Sequence, residues 1–221
     1  MEIEGYKDKH EYTNKNGITS VVYLMDCMEG LKQIPDKHFE LAVVDPPYGI
    51  GINHNMGRRR GDKKSNYKVV KWDNNIPSKE YFDGLFNKSQ NQIIWGANYF
   101  VMPPTKCFIV WRKPQISEMV SFSMVEYAWA SFNETAKEWI GVSNEENRFH
   151  PTQKPVALYE WLLKNYAKPN DKILDTHLGS GSSRIAADKA NLAFVGCELD
   201  PDYFYASVKR FKEYSAQTTM F

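Results

Sequence analysis

Residues 39–48 read Phe39-Glu40-Leu41-Ala42-Val43-Val44-Asp45-Pro46-Pro47-Tyr48, and this stretch decides the fold. Its first six residues form an apolar run of the kind that makes a buried strand. The two prolines end that strand, because each lacks an N–H for the sheet and fixes φ. A strand that stops so abruptly marks the carboxyl edge of a sheet, where open α/β folds bind their ligands. There it offers a carboxylate, a rigid backbone carbonyl and an aromatic ring. Asp45 and the Pro46 carbonyl can accept the two N–H hydrogens of an exocyclic amine on a flat heterocycle, and Tyr48 can stack on its ring. Taken alone, the same four residues also describe an ordinary Pro-Pro turn with a core tyrosine.

Working outward, apolar β-rich runs alternate with helical patterns. Strands are expected at 20–25, 41–44, 92–95, 107–111, 126–132, 172–174 and 193–197, seven in all. Helices are expected at 78–89, 155–166, 182–190 and 201–214, with a short helix and turn over 28–36. Pro155 suits a first helical turn, and Val156, Tyr159, Leu163 and Tyr166 then share one face. The pattern predicts an α/β fold with a seven-stranded, mostly parallel, doubly wound sheet, in one domain spanning 1–221. Residues 53–75 and 133–147 are polar and weakly periodic, and read as long loops. Nothing marks a second domain.

Near the C-terminus, Lys172-Ile173-Leu174-Asp175-Thr176-His177-Leu178-Gly179-Ser180-Gly181-Ser182-Ser183 reads as strand, acid, glycine loop and helix start. Glycines there permit a tight turn and close approach of a ligand to a helix N-terminus. The spacing is not the G-x-G-x-x-G fingerprint of dinucleotide folds, and G-x-G alone is weak evidence. The next strand ends in Glu198, where a carboxylate can accept hydrogen bonds from ribose hydroxyls. Glu198-Leu199-Asp200-Pro201 can equally be a helix cap centred on Asp200. Asp26 is a third acidic strand end. Alone it reads as a cap; with Asp45 it suits the adenine end of a nucleotide-like cofactor.

Composition narrows the setting. The chain has 221 residues, 42% hydrophobic and 25% charged, as in a globular domain with a substantial core. No apolar run reaches the roughly 18 residues of a membrane span, and the N-terminus lacks a signal-peptide core. Three cysteines, without framework spacing, fit a reducing cytoplasm. The net charge of +1 conceals an uneven distribution. Between Asn53 and Lys71 lie Arg58, Arg59, Arg60, Lys63, Lys64, Lys68 and Lys71 against only Asp62. Such a stretch can hold a phosphate backbone, or be a solvated loop with no partner.

The order of the motifs carries a resemblance. The D-P-P-Y tetrapeptide comes first and the glycine loop near the end, with Arg148-Phe149-His150-Pro151-Thr152-Gln153-Lys154-Pro155 between them and Ile93-Ile94-Trp95-Gly96-Ala97-Asn98-Tyr99-Phe100 in the middle. From about residue 20 to 212 the chain resembles the β-class DNA amino-methyltransferases, whose motifs run in this circularly permuted order. The resemblance implies a Rossmann-like S-adenosylmethionine-dependent methyltransferase fold with a target-amine half (18–132) and a cofactor half (148–214). It implies methyl transfer to the N6 amine of a flipped-out adenine in DNA. It assigns Asp45, Pro46, Pro47 and Tyr48 to the target amine. Asp26, Cys27, Asp175, His177, Gly179, Ser180, Gly181, Ser182, Glu198 and Leu199 fall around the cofactor, with Thr152 and Lys154 beside its carboxylate end. Arg58, Arg59, Arg60, Lys63 and Lys64 are the expected DNA contacts, and no metal takes part.

Two departures stand out. The family usually has Asp-Pro-Phe before the glycines, where this chain has Asp175-Thr176-His177. The interval 133–147 is also too short for the target-recognition region of larger relatives. Sequence reading then falls to the basic loop, a second protomer or a separate partner. Two rivals stay open: a cytosine-N4 or RNA amine methyltransferase, whose cytosine members more often carry Ser for Asp45, and a non-catalytic nucleic-acid-binding module of the same fold.

Overall fold

Strand β3 (Phe39–Val44) lies in the middle of the sheet with side chains buried on both faces. Leu41 and Val43 join one core, while Ala42 and Val44 join the other. A strand covered on both sides reads as a continuous apolar run rather than an alternating one. The computed structural model describes residues 2–51, 72–117, 123–143 and 148–218. In chain order the remaining elements are β1 (Asp8–Thr13), β2 (Thr19–Leu24), α1 (Cys27–Gln33), α2 (Lys79–Lys88), β4 (Ser89–Trp95), β5 (Phe108–Arg112), β6 (Val125–Ala130), β7 (Lys137–Ile140), α3 (Val156–Tyr166), β8 (Lys172–Asp175), α4 (Ser182–Lys189), β9 (Ala193–Glu198) and α5 (Pro201–Thr218).

The described strands form one sheet in the order β1-β2-β9-β8-β3-β4-β6-β5-β7. From β2 through β9, β8 and β3 to β4 all pairings are parallel, whereas β1–β2, β4–β6 and β5–β6 are antiparallel. Helices cover both faces. Leu158 and Leu162 of α3 and Phe204 of α5 pack with Leu41, Val43 and Trp95. On the other face, Leu31 of α1 and Tyr81 and Leu85 of α2 pack with Ala42, Val44 and Ile94. No helix among the described residues is long and apolar enough to cross a membrane.

All seven expected strands are present, and two more enlarge the sheet to nine. Both additions are edge strands. β1 (DKHEYT) alternates half-buried and exposed residues and pairs with β2 across a turn at Gly17, φ 79°. β7 (KEWI) is four residues long and runs parallel to β5, with Trp139 against Trp111 at 6.0 Å. It corrects the expectation that 133–147 is loop throughout. Charged side chains on short edge strands suppress unwanted pairing, and they also erase the apolar signature by which a strand is recognised.

The topology places the site. From β3 the chain crosses by α2 to β4 on one side; from β8 it crosses by α4 to β9 on the other. β3 and β8 are hydrogen-bonded neighbours, with Leu41 opposite Ile173 and Ala42 opposite Leu174. Their junction is the point where the winding reverses, and a crevice opens there at the carboxyl ends.

Candidate active site

A cavity of about 1010 Å³ occupies that crevice, and Asp45, Pro46 and Tyr48 line it together with His177, Gly179 and Glu198. The D-P-P-Y turn and the glycine loop, far apart in sequence, thus face one space. Asp26, Cys27, Pro47, Thr152, Lys154, Ser180 and Leu199 also reach its wall. Asp175, Gly181 and Ser182 do not line it; they brace the loop from behind.

At the D-P-P-Y end, Asp45 is held on both oxygens. The Tyr48 hydroxyl donates to Oδ1 at 2.6 Å, and the Lys154 ammonium lies 2.5 Å from Oδ2. Lys154 also donates to the Tyr48 hydroxyl oxygen at 3.1 Å and sits 3.1 Å from Glu126 Oε2. Glu126 is paired in turn with Lys113. Burial would depress the lysine, but Asp45 and Glu126 outweigh it and hold Lys154 above the ordinary lysine value, so the cation persists. Burial pushes Glu126 up, and the two lysines overcome it and bring the carboxyl down to about 2. The result is a chain of alternating charge running from Lys113 to Asp45.

The Tyr48 ring is fixed by two further features. It stacks on Tyr99 at 5.2 Å and 15°. It also lies over Gly96, where φ is 68° and a Cβ would overlap the ring. The backbone N–H groups of Tyr48 and Gly49 donate to Asp73 Oδ1 at 2.7 and 3.1 Å, which anchors the turn.

At the other end, Glu198 ties strand β9 to the glycine loop. Its Oε2 accepts the Gly179 N–H at 2.8 Å and its Oε1 the Asp200 N–H at 2.9 Å. Burial pushes this carboxyl up to about 7. Asp175 accepts from Ser183 Oγ at 2.5 Å and from the His177 N–H at 3.0 Å, and burial raises it to about 6. Gly181, φ 74°, starts α4, and Ser182 bonds Ser180 and Arg210. His177 packs edge-on to Tyr81 at 5.3 Å, and burial lowers its imidazole to about 4. It is therefore a neutral ring near pH 7, and the departure from an apolar residue at this position introduces no charge.

The loop before α3 joins the two ends. The Thr152 N–H donates to His150 Nδ1 at 3.4 Å, and His150 packs on Tyr203 at 4.3 Å and lies beside Gly179. Burial lowers His150 to about 3. Lys154, expected beside a cofactor carboxylate, has its ammonium on the D-P-P-Y carboxylate instead. Asp26 lines the cavity and also caps α1, accepting the Met28 N–H at 2.9 Å. Both of its alternative roles are compatible with that position. Arg58, Arg59, Arg60, Lys63 and Lys64 lie outside the described residues.

Sequence reasoning did not find Glu126, Lys113, Asp73 or the role of Gly96. The first three sit outside any motif, and only the glycine in Trp95-Gly96-Ala97 carried a local signal for unusual backbone.

Comparison with known proteins agrees with this geometry. Residues 110–209 match the family model described as DNA methylase, of the N6/N4 type. YubD of Escherichia coli (strain K12), a methylase by assignment, is 26% identical over 204 residues, covering 84% of this chain and 87% of its own. The M1.HpyAVI–SAM complex superposes with a TM-score of 0.56 at 23% identity, over 86% of this chain and 98% of that one. The cytosine-N4-specific PvuII DNA methyltransferase gives 0.61 at 15% identity, over 94% and 90%. The permuted motifs thus converge on one cavity in a chain whose residues 110–209 match the DNA methylase family model and whose fold is that of solved DNA methyltransferases.

Proposed function

We propose that this protein transfers a methyl group from S-adenosylmethionine to the N6 amine of an adenine turned out of duplex DNA. The observation that carries the reading is the single cavity shared by the Asp45–Tyr48 turn and the Gly179–Glu198 pair. The donor set suits the cofactor. Glu198 and Asp26 present carboxylates able to accept hydroxyl and amine hydrogens, and Leu199, 60% exposed, offers an apolar surface for a ring. When bound, S-adenosylmethionine supplies a methyl group already activated by its sulfonium.

The residues of the chain then have to align and polarise the amine. An aromatic amine is a poor nucleophile because its lone pair is delocalised into the ring. Accepting both N–H hydrogens, by Asp45 and the Pro46 carbonyl, favours a pyramidal nitrogen whose lone pair is free to attack. Extruding the base costs a few kcal/mol, which stacking on the Tyr48 ring partly offsets. Asp rather than Ser at position 45 favours adenine over cytosine within the resemblance described above. The basic segment Arg58, Arg59, Arg60, Lys63 and Lys64 is proposed to hold the phosphate backbone. Selection of sequence is proposed to rest on that segment, a second copy or a separate partner.

The test is transfer of labelled methyl from S-adenosylmethionine to unmethylated DNA, followed by mass spectrometry of the hydrolysed nucleosides. N6-methyladenine is expected. N4-methylcytosine would assign the protein to the other amine, and no transfer would leave a binding module.

A further inference from the structure

We propose that Glu126 is a positioning residue that gives Lys154 a second seat, so that the lysine can leave Asp45 when the target amine arrives. This rests on the methyl-transfer reading of the cavity. In the structure Lys154 and the Tyr48 hydroxyl stand where the amine has to bind. The ammonium is 2.5 Å from Asp45 Oδ2, and the hydroxyl donates to Oδ1. An incoming amine must displace one of them.

Removing a buried ammonium from its carboxylate is costly when nothing replaces the partner. The side chain of Lys154 is only 3% exposed. Glu126 removes the obstacle. Its Oε2 is buried and lies 3.1 Å from the ammonium, a longer contact than the 2.5 Å to Asp45. Lys113 holds the other carboxylate oxygen, which fixes the group and leaves Oε2 to Lys154. A buried anionic oxygen already within ion-pair reach of the cation is a prepared place for it to settle more closely. A shift of Nζ from Asp45 Oδ2 to Glu126 Oε2 keeps one ion pair throughout and frees Asp45. The Trp95 and Tyr48 rings, with centroids 5.3 and 5.6 Å from Nζ, surround the ammonium with favourable π faces.

If Glu126 serves only to hold Lys113, its loss hurts equally whether or not Lys154 is present. If it is only a static partner of Lys154, a double-mutant cycle of the two residues read as unfolding free energy shows as much coupling as one read as kcat/KM, which also overturns the proposal. If it serves as the second seat, its loss matters only when there is a lysine to move. The experiment is a double-mutant cycle of Glu126→Gln and Lys154→Gln, read as kcat/KM for labelled methyl transfer to unmethylated DNA, with cofactor affinity measured by calorimetry. Glu126→Gln is expected to lower kcat/KM by about tenfold or more with Lys154 present, and by less than about twofold in the Lys154→Gln background. Cofactor affinity should not change between the Glu126 variants. Equal losses in both backgrounds overturn the proposal. Should Glu126→Gln fail to bind cofactor and so prove misfolded, Glu126→Asp, which keeps the charge but withdraws it, enters the same cycle with the same criterion. A parent protein that methylates no DNA defeats the function reading itself, whereas an active parent with additive losses defeats only the role of Glu126.

Discussion

Glu198 should make cofactor binding depend on pH across the neutral range. Burial raises its carboxyl from the ordinary 4.5 to about 7, because the charged form is stripped of water at the cavity wall. A ligand that donates hydroxyl hydrogens to Glu198 needs the anion. With a midpoint near 7, the anionic fraction falls from about nine-tenths at pH 8 to about one-tenth at pH 6, so affinity drops about tenfold, or ~1.4 kcal/mol. Isothermal calorimetry with S-adenosylmethionine at fixed ionic strength measures this directly. The ligand's own amino group also titrates nearby, so the profile has to be compared with that of Glu198→Gln, in which the ligand contributes the same slope and Glu198 none. Asp175, raised to about 6, stays in both proteins. The stability of the unliganded protein moves in the opposite sense. A carboxyl whose folded value is raised contributes stability that is fully present below about 4.5 and is lost as pH rises through about 7. The stability removed in this way amounts to roughly 3 kcal/mol for a shift of this size. Glu198→Gln should therefore melt above the parent at pH 8, with the difference closing toward pH 5. Identical calorimetric profiles for parent and variant would refute the reasoning and leave Glu198 as a strut for the loop.

Asp45→Ala should abolish transfer to DNA while calorimetry shows the cofactor still bound, because the proposed reading puts Asp45 on the amine and the glycine loop lies at the other end of the cavity; absent cofactor affinity with continued transfer would reverse the assignment. Gly96→Ala forces a Cβ into the Tyr48 ring at a left-handed φ of 68°, and should cut transfer by about tenfold or more with cofactor affinity kept; unchanged kinetics would show that the ring position is unimportant. Replacing Arg58, Arg59 and Arg60 together with Ala should flatten the salt dependence of DNA binding by about 0.9 in log–log slope for each phosphate no longer neutralised. A slope equal to the parent's would show that DNA is held elsewhere.

What can be read in the sequence follows from what each residue must do locally. β3, β8 and β9 are buried on both faces or nearly so, and their apolar runs are visible at sight. Asp45, the glycines at 179 and 181, and Glu198 are legible because backbone constraints fix them at strand ends: prolines that stop a strand, glycines at φ 50° and 74°, and an acid at a strand tip. β1 and β7 are hidden by the charges that protect a sheet edge. Glu126 and Asp73 are hidden for a different reason. Each is one carboxylate on an ordinary stretch of chain, given meaning only by what the fold brings against it: Lys154 and Lys113 for one, the Tyr48 and Gly49 amides for the other. Lys154 shows the same limit from inside a motif. Its position before α3 is plain, but its partner is not, because nothing in the local sequence states which carboxylate the helix start will face.

The permuted motif order has a simple physical basis in this sheet. The proposed chemistry requires the D-P-P-Y turn and the glycine loop to face one crevice, which requires β3 and β8 to be neighbours and their helices to leave in opposite directions. It does not require either strand to come first. Each half is a strand, a turn at its carboxyl end and a crossover helix, and each is locally complete: β3 with α2 and β4, β8 with α4 and β9. Exchanging their order alters only the connections that join them. One of these, the loop before α3, runs from the end of the first half to the start of the second along the cavity wall. It carries His150 to Gly179 on one side and Lys154 to Asp45 on the other. The connection created by this order is thus the segment that couples the two ends of the site, which accounts for a lysine from the second half standing on the carboxylate of the first.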